Sequence, residues 1–250
     1  MFDEPFRWIE AVSTRHSYVR EKLAKGQPVL AVPFNEGALL LGFSPQPGKI
    51  FEIYDRIAFG GLGHPADVEK LRMTLLDMAH IEGFNRSAQD VNISRLLQFG
   101  IAPVLKQNFE EVQRAPYLVQ LLLVELDQSG QARFYRLNYD GHWETFKHGA
   151  IITGNTKMAE WMEKEITKIP FSTLPLDQAL REACKLWEEG QKQVSDEDKE
   201  KDRVPVTLKD AFEKWNLEAA ILSHASPNRC LYRAVTSQEI EQVKKALISS

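Results

Sequence analysis

The sequence predicts an α/β (α+β) fold with two stacked sheets covered on both outer faces by helices, a four-layer αββα sandwich. Three observations predict it. Strands and helices come in segregated groups, in the order strands, two helices, strands, two helices, strands, helix. Residues 38–41 are apolar at successive positions and 117–126 form the most apolar run of the chain, as in strands buried on both faces. Two consecutive long amphipathic segments, 65–83 and 87–105, have the spacing of a helical layer laid over a sheet. No internal repeat competes with this reading.

The elements follow in order. Residues 14–25 combine good helix formers with basic residues towards the end, and Gly26 is placed to stop them. Residues 29–32 and 38–41 are two strands around the Asn35-Glu36-Gly37 turn. Ile50, Ile53, Ile57, Ala58 and Phe59 continue the sheet through Tyr54-Asp55-Arg56, and Gly60-Gly61-Leu62-Gly63 is expected to break it. Pro65 suits the first turn of a helix that carries Val68, Leu71, Leu75, Met78 and Ala79 on one stripe. A second helix is expected from Ser87, with Asp90 completing a near capping box and Pro103 bending it.

After the apolar strand at 117–126, the Asp127-Gln128-Ser129-Gly130 turn leads into a return strand at 133–138. Asp140-Gly141 turns the chain again, and 143–146 and 150–153 extend the sheet. Met158, Trp161, Met162 and Ile166 mark a third helix, and Leu176, Ala179, Leu180, Ala183 and Trp187 a fourth that ends at Gly190. Residues 191–205 form a charged surface loop. Late strands at 217–222 and 230–234 and a closing helix at 237–247 complete the chain.

Composition narrows the function. The chain has 250 residues, 43% of them hydrophobic, enough to bury a large core. A net charge of −4 gives no electrostatic footprint for nucleic acid. No segment approaches the roughly 18 apolar residues that span a bilayer, and the N-terminus, with Asp3, Glu4 and Arg7, does not read as a secretory signal. Cys184 and Cys230 are far apart and read as free thiols of a reducing compartment. A cytoplasmic, soluble protein without cofactor or membrane is expected.

Local chemistry is sparse. The triple-glycine stretch has neither a GxGxxG order nor a GK[ST] ending, so it is no phosphate cradle. His142 and His148, with Glu144 between them, are too loosely spaced for a metal site. Ser129, Ser223 and Ser226 lie in turns, His224 near two of them, but no G-x-S-x-G elbow is present. Asp55 and Arg56 read as a structural ion pair or a subunit contact.

This succession resembles the N-terminal nucleophile hydrolase fold as proteasome subunits use it, over roughly residues 14–240. The residues that carry the resemblance are Gly26 before the first strand, Lys49-Ile50-Phe51-Glu52-Ile53-Tyr54-Asp55-Arg56-Ile57, and Gly61-Leu62. Pro116-Tyr117, Tyr139-Asp140-Gly141 and Leu217-Glu218-Ala219-Ala220-Ile221-Leu222 add to it. The Ile-Tyr-Asp-Arg form is closest to bacterial α-type subunits. Proteolytic β-type members are cut after a glycine, exposing a threonine whose own α-amine is the base. This sequence contains no Gly-Thr pair. By resemblance Gly26 stands at the cut position but Gln27 and Pro28 follow it, Phe43 replaces the acidic residue, and Lys49 keeps the lysine.

The resemblance therefore implies a single α-type domain over 1–250 and no catalytic residues: a non-catalytic subunit of a threonine-protease complex, and not an enzyme. It implies a homo-oligomeric, heptameric ring stacked on β-type subunits, gating unfolded protein into intracellular degradation and docking an ATP-dependent unfoldase. Lys49, with Gly26 and Leu62, would line a pocket between neighbouring subunits. There the lysine would pair with the C-terminal carboxylate of an activator tail ending hydrophobic–tyrosine–any residue. A solvated lysine after Pro47-Gly48 is the other reading of Lys49.

Residues 1–26 would form the gate segment and helix. The tyrosine-aspartate-arginine gate motif of archaeal and eukaryotic α subunits is absent from the N-terminus, as in bacterial ones. Phe2, Phe6, Trp8 and Ile9 would plug the pore, pack against a neighbour or anchor the first helix. Two rival readings remain open: a peptidase or amidase with a nucleophile exposed by unexpected processing at Ser13, Thr14 or Ser17, and a stand-alone ring acting as a scaffold or holdase.

Overall fold

In the computed structural model residues 4–45, 48–193 and 205–248 are described, and within them two five-stranded antiparallel sheets lie face to face. The first sheet has the order β10-β9-β2-β1-β8, built from β1 (Val29–Phe34), β2 (Gly37–Ser44), β8 (Ala150–Ile152), β9 (Asn216–Ser223) and β10 (Tyr232–Ala234). The second runs β3-β4-β5-β6-β7, from β3 (Ile50–Tyr54), β4 (Ile57–Gly63), β5 (Val119–Leu126), β6 (Ala132–Asn138) and β7 (Trp143–Phe146).

Period-two alternation sorts the strand side chains into separate cores. Leu122 and Val124 of β5 meet Val29 and Ala31 of β1, Leu40, Ala220 and Leu222 between the sheets. Leu121 and Leu123 point the other way, against α2 (Pro65–Asn85), α3 (Ile93–Leu96) and α4 (Ala102–Glu110). On the far side Leu30, Val32, Leu39 and Leu41 pack under α5 (Thr156–Ile166), α6 (Leu176–Gln191), α7 (Leu208–Lys214) and α8 (Ser237–Ile248). Three cores between four layers make the αββα sandwich. Both β2 and β5 are covered on both faces, as their strongly apolar runs implied.

Several expectations need correction. The segment after β2 does not continue its sheet: β3 and β4 open the second one. Residues 150–152 likewise leave the sheet of β7 and pair with β1. Both errors have one cause, since side-chain periodicity does not say which of two sheets a strand joins. Gly60, Gly61 and Gly63 do not break the strand but lie in β4. A Cβ at Gly60 would come within 3.0 Å of Val29 Cγ1 on the facing sheet, and one at Gly61 would collide with Val68 of α2. Glycine there serves close packing on both faces.

The first helix, α1 (Glu4–Leu23), begins well before residue 14. It is held by Arg15, whose guanidinium donates to the carbonyls of Asn108 (3.1 Å), Val112 (3.3 Å) and Arg114 (2.6 Å) around the end of α4. A cation there satisfies carbonyls that a helix terminus leaves without intrahelical partners. The helix expected from Ser87 starts at Ile93, where Asn92 Oδ1 caps the Arg95 amide at 3.0 Å. The buried Glu125 accepts the Ile93 amide and the Tyr135 hydroxyl, both at 2.8 Å. Residues Leu97–Ile101 form a π-helical turn before α4. Pro103 lacks the N–H that would bond the carbonyl four residues back, and the helix widens there, close to where a bend was expected.

Helix α7 was not anticipated. Its signal is Thr207-x-x-Asp210, in which the Thr207 hydroxyl accepts the Asp210 amide at 3.1 Å. Most of the charged loop at 191–205 falls outside the described residues, as do Phe2 and Pro47 and the side chain of Phe6.

The close approach at β4 is testable. Gly61→Ala should destabilise the protein by about 1–3 kcal/mol by overpacking, and Val68→Ala in the same chain should recover part of that loss. Additive costs in a double-mutant cycle of denaturant melts would exclude direct contact as the cause.

Candidate functional site

Between β2 and β3 the chain crosses from one sheet to the other at one end of the sandwich, and Lys49 is the residue before β3. Its backbone is tied to both sheets. The Gly61 amide of β4 donates to the Lys49 carbonyl at 2.9 Å. On the other side the Glu218 carboxylate of β9 accepts three successive amides, Gly48 on Oε1 at 3.0 Å and Lys49 and Ile50 on Oε2 at 2.9 and 3.3 Å. Glu218 reaches them because β9 pairs with β2 in the register Gly42↔Glu218 and Leu217↔Phe43, next to the β2 terminus.

The Lys49 side chain folds back over the first sheet. Its ammonium donates to the carbonyl of Gln27 at 3.0 Å and to that of Phe43 at 3.1 Å. An ammonium has three N–H donors, so one more acceptor can be served. Burial lowers the Lys49 pKa to about 8, against the opposing pull of the Glu218 charge. The site therefore holds a half-buried cation close to its titration point near neutral pH.

The structure brings Gly26, Lys49 and Leu62 into one neighbourhood. Gln27, whose carbonyl Lys49 binds, follows Gly26. A Cβ on Gly26 would collide with the Leu62 side chain, so glycine is needed where the chain passes over β4. Leu62 is itself buried and forms the floor beneath Gly26. Of the N-terminal residues, Trp8 and Ile9 are described, at 47% and 57% exposure on α1.

The Gln27 side chain accepts from the amide of the buried Gln191 at 3.2 Å. Phe43 is fully buried, with ring centroids 4.5 Å from Trp187 and 5.2 Å from Phe212. A carboxylate in that aromatic nest would carry a prohibitive desolvation cost. Lys49 therefore sits between two positions that offer it only backbone carbonyls.

The remaining sequence candidates are structural. Asp55 pairs with Arg229 at 2.6 Å, while Arg56 donates to the carbonyls of Gln89 and Leu126, so the expected Asp55–Arg56 pair is replaced by two separate contacts. Glu144 binds Arg136 at 2.6 Å. Among the described residues no three His, Cys, Asp or Glu side chains gather as a metal site. The Ser223 hydroxyl reaches Glu36 at 3.5 Å and caps the Ala225 amide, while Ser226 donates to the Cys230 carbonyl. Cys184 and Cys230 are free thiols. No described helix is long and apolar enough to cross a membrane. The role missed from sequence is that of Glu218, named there only within the strand 217–222; its signal is its place as the one charge in that apolar run.

Comparison with known proteins gives a consistent result. A family model described as "Proteasome subunit" matches residues 24–202. A protein of Rhodococcus jostii named "Proteasome subunit alpha" is 27% identical over 92% of this chain and 83% of its own length. A Streptomyces avermitilis protein of the same name is 25% identical over 95% of this chain and 88% of its own. A third, from Nocardioides, is 32% identical over 58% of this chain and 57% of its own length.

The lowered Lys49 pKa has a stability signature. Between about 8 and 10.5 the unfolded chain holds a proton on Lys49 that the folded chain has released, so this residue's contribution to stability rises with pH across that window. Below pH 8 the cost of burying the charge is present in full. Denaturant melts of wild type and Lys49→Met at pH 7.5 and above should therefore diverge in favour of wild type as pH rises; a pH-independent difference would contradict the burial of the ammonium.

Proposed function

The chain belongs to the proteasome subunit family and is of its α type, and we propose that it forms the outer ring of a self-compartmentalising protease, gating its substrates and docking an activator at Lys49. As an α-type subunit it is non-catalytic and assembles into a ring with β-type subunits that carry proteolysis. The observation that carries the reading is the Lys49 ammonium, bonded to the carbonyls of Gln27 and Phe43. The lysine of a threonine-protease site is present, while its nucleophile position is a glutamine and its acid position a core phenylalanine.

A cation retained without a nucleophile is suited to binding. We assign it the C-terminal carboxylate of an ATP-dependent unfoldase, in a pocket with Gly26 and Leu62 at the junction with the next subunit of a heptameric ring. The third N–H of Lys49 and its half-buried setting support this, because a carboxylate arriving there restores the charge that burial disfavours. Phe2, Phe6, Trp8 and Ile9 are assigned to the gate, and the exposure of the apolar Trp8 and Ile9 supports a contact beyond their own subunit. Unfolded protein is the substrate that such a chamber admits.

The rival reading, a processed nucleophile, finds no support in geometry. Ser13, Thr14 and Ser17 lie within α1, with the Thr14 and Ser17 hydroxyls bonded to the carbonyls of Glu10 and Ser13. Lys49 binds at Gln27, on the other side of the helix terminus.

Native mass spectrometry of the complex from its own cells should find this chain, starting at Met1, with an equal amount of a Thr-initiated partner. A small species without such a partner would overturn the ring. Within the complex, Lys49→Ala should abolish stimulation by a tail-bearing activator and leave assembly intact; unchanged stimulation would sink the pocket assignment. Replacing Trp8 and Ile9 together by Ala should raise peptide hydrolysis by the unstimulated complex, and an unchanged basal rate would remove them from the gate.

A further inference from the structure

We propose that Glu218 is the positioning residue of the docking site, fixing through three successive amide bonds the backbone from which Lys49 meets an incoming C-terminal carboxylate. The proposal rests on the reading of Lys49 as the tail-binding residue. Its own basis is the geometry of Glu218, a carboxylate with a use for both oxygens: Oε1 for Gly48, Oε2 for Lys49 and Ile50. A carboxylate that accepts several backbone amides is held strongly and orients the loop that supplies them. Here the loop is the crossing between the two sheets, and the neighbouring pairs Gly42↔Glu218 and Leu217↔Phe43 set Glu218 beside the Phe43 carbonyl that Lys49 binds.

Glu218 acts on Lys49 in a second way. Its charge opposes the burial that drives the Lys49 pKa down to about 8, and so keeps more of the ammonium protonated at neutral pH. The other groups around the site do not supply this. Gln27, Phe43 and Gln191 are uncharged. The Tyr232 hydroxyl of β10, 3.5 Å from the Ile50 carbonyl, has its pKa pushed up to about 12 by burial and stays neutral. Glu52 of β3 is engaged by the Cys230 thiol at 3.0 Å. One side chain thus sets both the direction and the charge of the lysine.

A glutamine at 218 keeps the size but replaces one acceptor oxygen by an NH₂ group, which must then face a backbone N–H. The test is fluorescence anisotropy on the assembled complex with a short synthetic peptide ending hydrophobic–tyrosine–any residue, as the free acid and as the C-terminal amide. Affinity of the free acid for wild type should fall as pH rises through about 8. Glu218→Gln should weaken it by about tenfold at neutral pH, move the midpoint to lower pH, and leave the weak binding of the amide unchanged.

Lys49→Met separates the two levels of inference. If it removes the preference for the free acid while Glu218→Gln changes neither affinity nor midpoint, the role of Glu218 is overturned and the docking site stands. If Lys49→Met leaves the preference intact, the docking reading falls and this proposal with it. Weaker binding at an unmoved midpoint would overturn the effect of Glu218 on the charge of Lys49 and support its positioning of the backbone. Should Glu218→Gln not assemble, Glu218→Asp keeps the charge but shortens the reach: weakened binding at a midpoint near that of wild type supports the role, and wild-type affinity overturns it.

Discussion

Everything at the candidate site depends on the facing of two sheets across one continuous apolar layer. Leu122, Val124, Leu126, Phe134, Ala31, Leu40, Ala220 and Leu222 fill the space between them, and a central strand can do this only if it is apolar on both faces. Where the two sheets come closest a side chain is dispensed with: a Cβ at Gly60 would come within 3.0 Å of Val29 on the facing sheet. Polar backbone groups cannot be left inside such a layer, so connections between the sheets must cross at its ends.

Lys49 is on one of those crossings, and its backbone shows how the crossing is made. One sheet reaches it through the Gly61 amide and the other through Glu218. A charged side chain at this position is held in a half-buried place, which lowers its pKa. Two carbonyls and the Glu218 charge offset part of the cost. Helix α1 is fastened independently, by Arg15 at the end of α4 and by His16 Nδ1, 3.0 Å from the Tyr139 hydroxyl. The N-terminal segment thus starts from a fixed body, with Leu23 buried and Gly26 turning the chain into β1.

The layer order was legible in the sequence because it is written in local periodicities: doubly apolar strands such as 117–126, and amphipathic helices such as the one from Pro65. Sheet membership was not, because β3 and β8 look the same locally whichever sheet they join; only the inter-sheet core decides. The glycines of β4 were misread for a related reason. Gly60 and Gly61 answer to the proximity of Val29 and Val68, which lie on other elements, and Gly63 to its positive φ beside the Leu118 carbonyl. At the site, Lys49, Gly26 and Leu62 could be given a role through a family resemblance, whereas Glu218 entered that resemblance without one. Its function lies in three amides that β9 meets only after the sheet has formed.

If Lys49 is the lysine of a site that has lost its nucleophile, as the resemblance implies, its retention has a physical logic. Phe43, which the resemblance places at the acid position, is locked against Trp187 and Phe212 in the helix-covered core. Gln27 offers Lys49 its carbonyl and spends its side chain on Gln191. A lysine with no further task at such a place would be a net cost, since a polar residue without charge could satisfy the same two carbonyls. A carboxylate that arrives from outside changes that balance. It meets an ammonium already desolvated and already aimed, so most of the cost of forming a buried ion pair has been met before binding, and the free energy of the pair can appear as affinity. On the proposed reading the site is thus preorganised for the carboxylate of another chain.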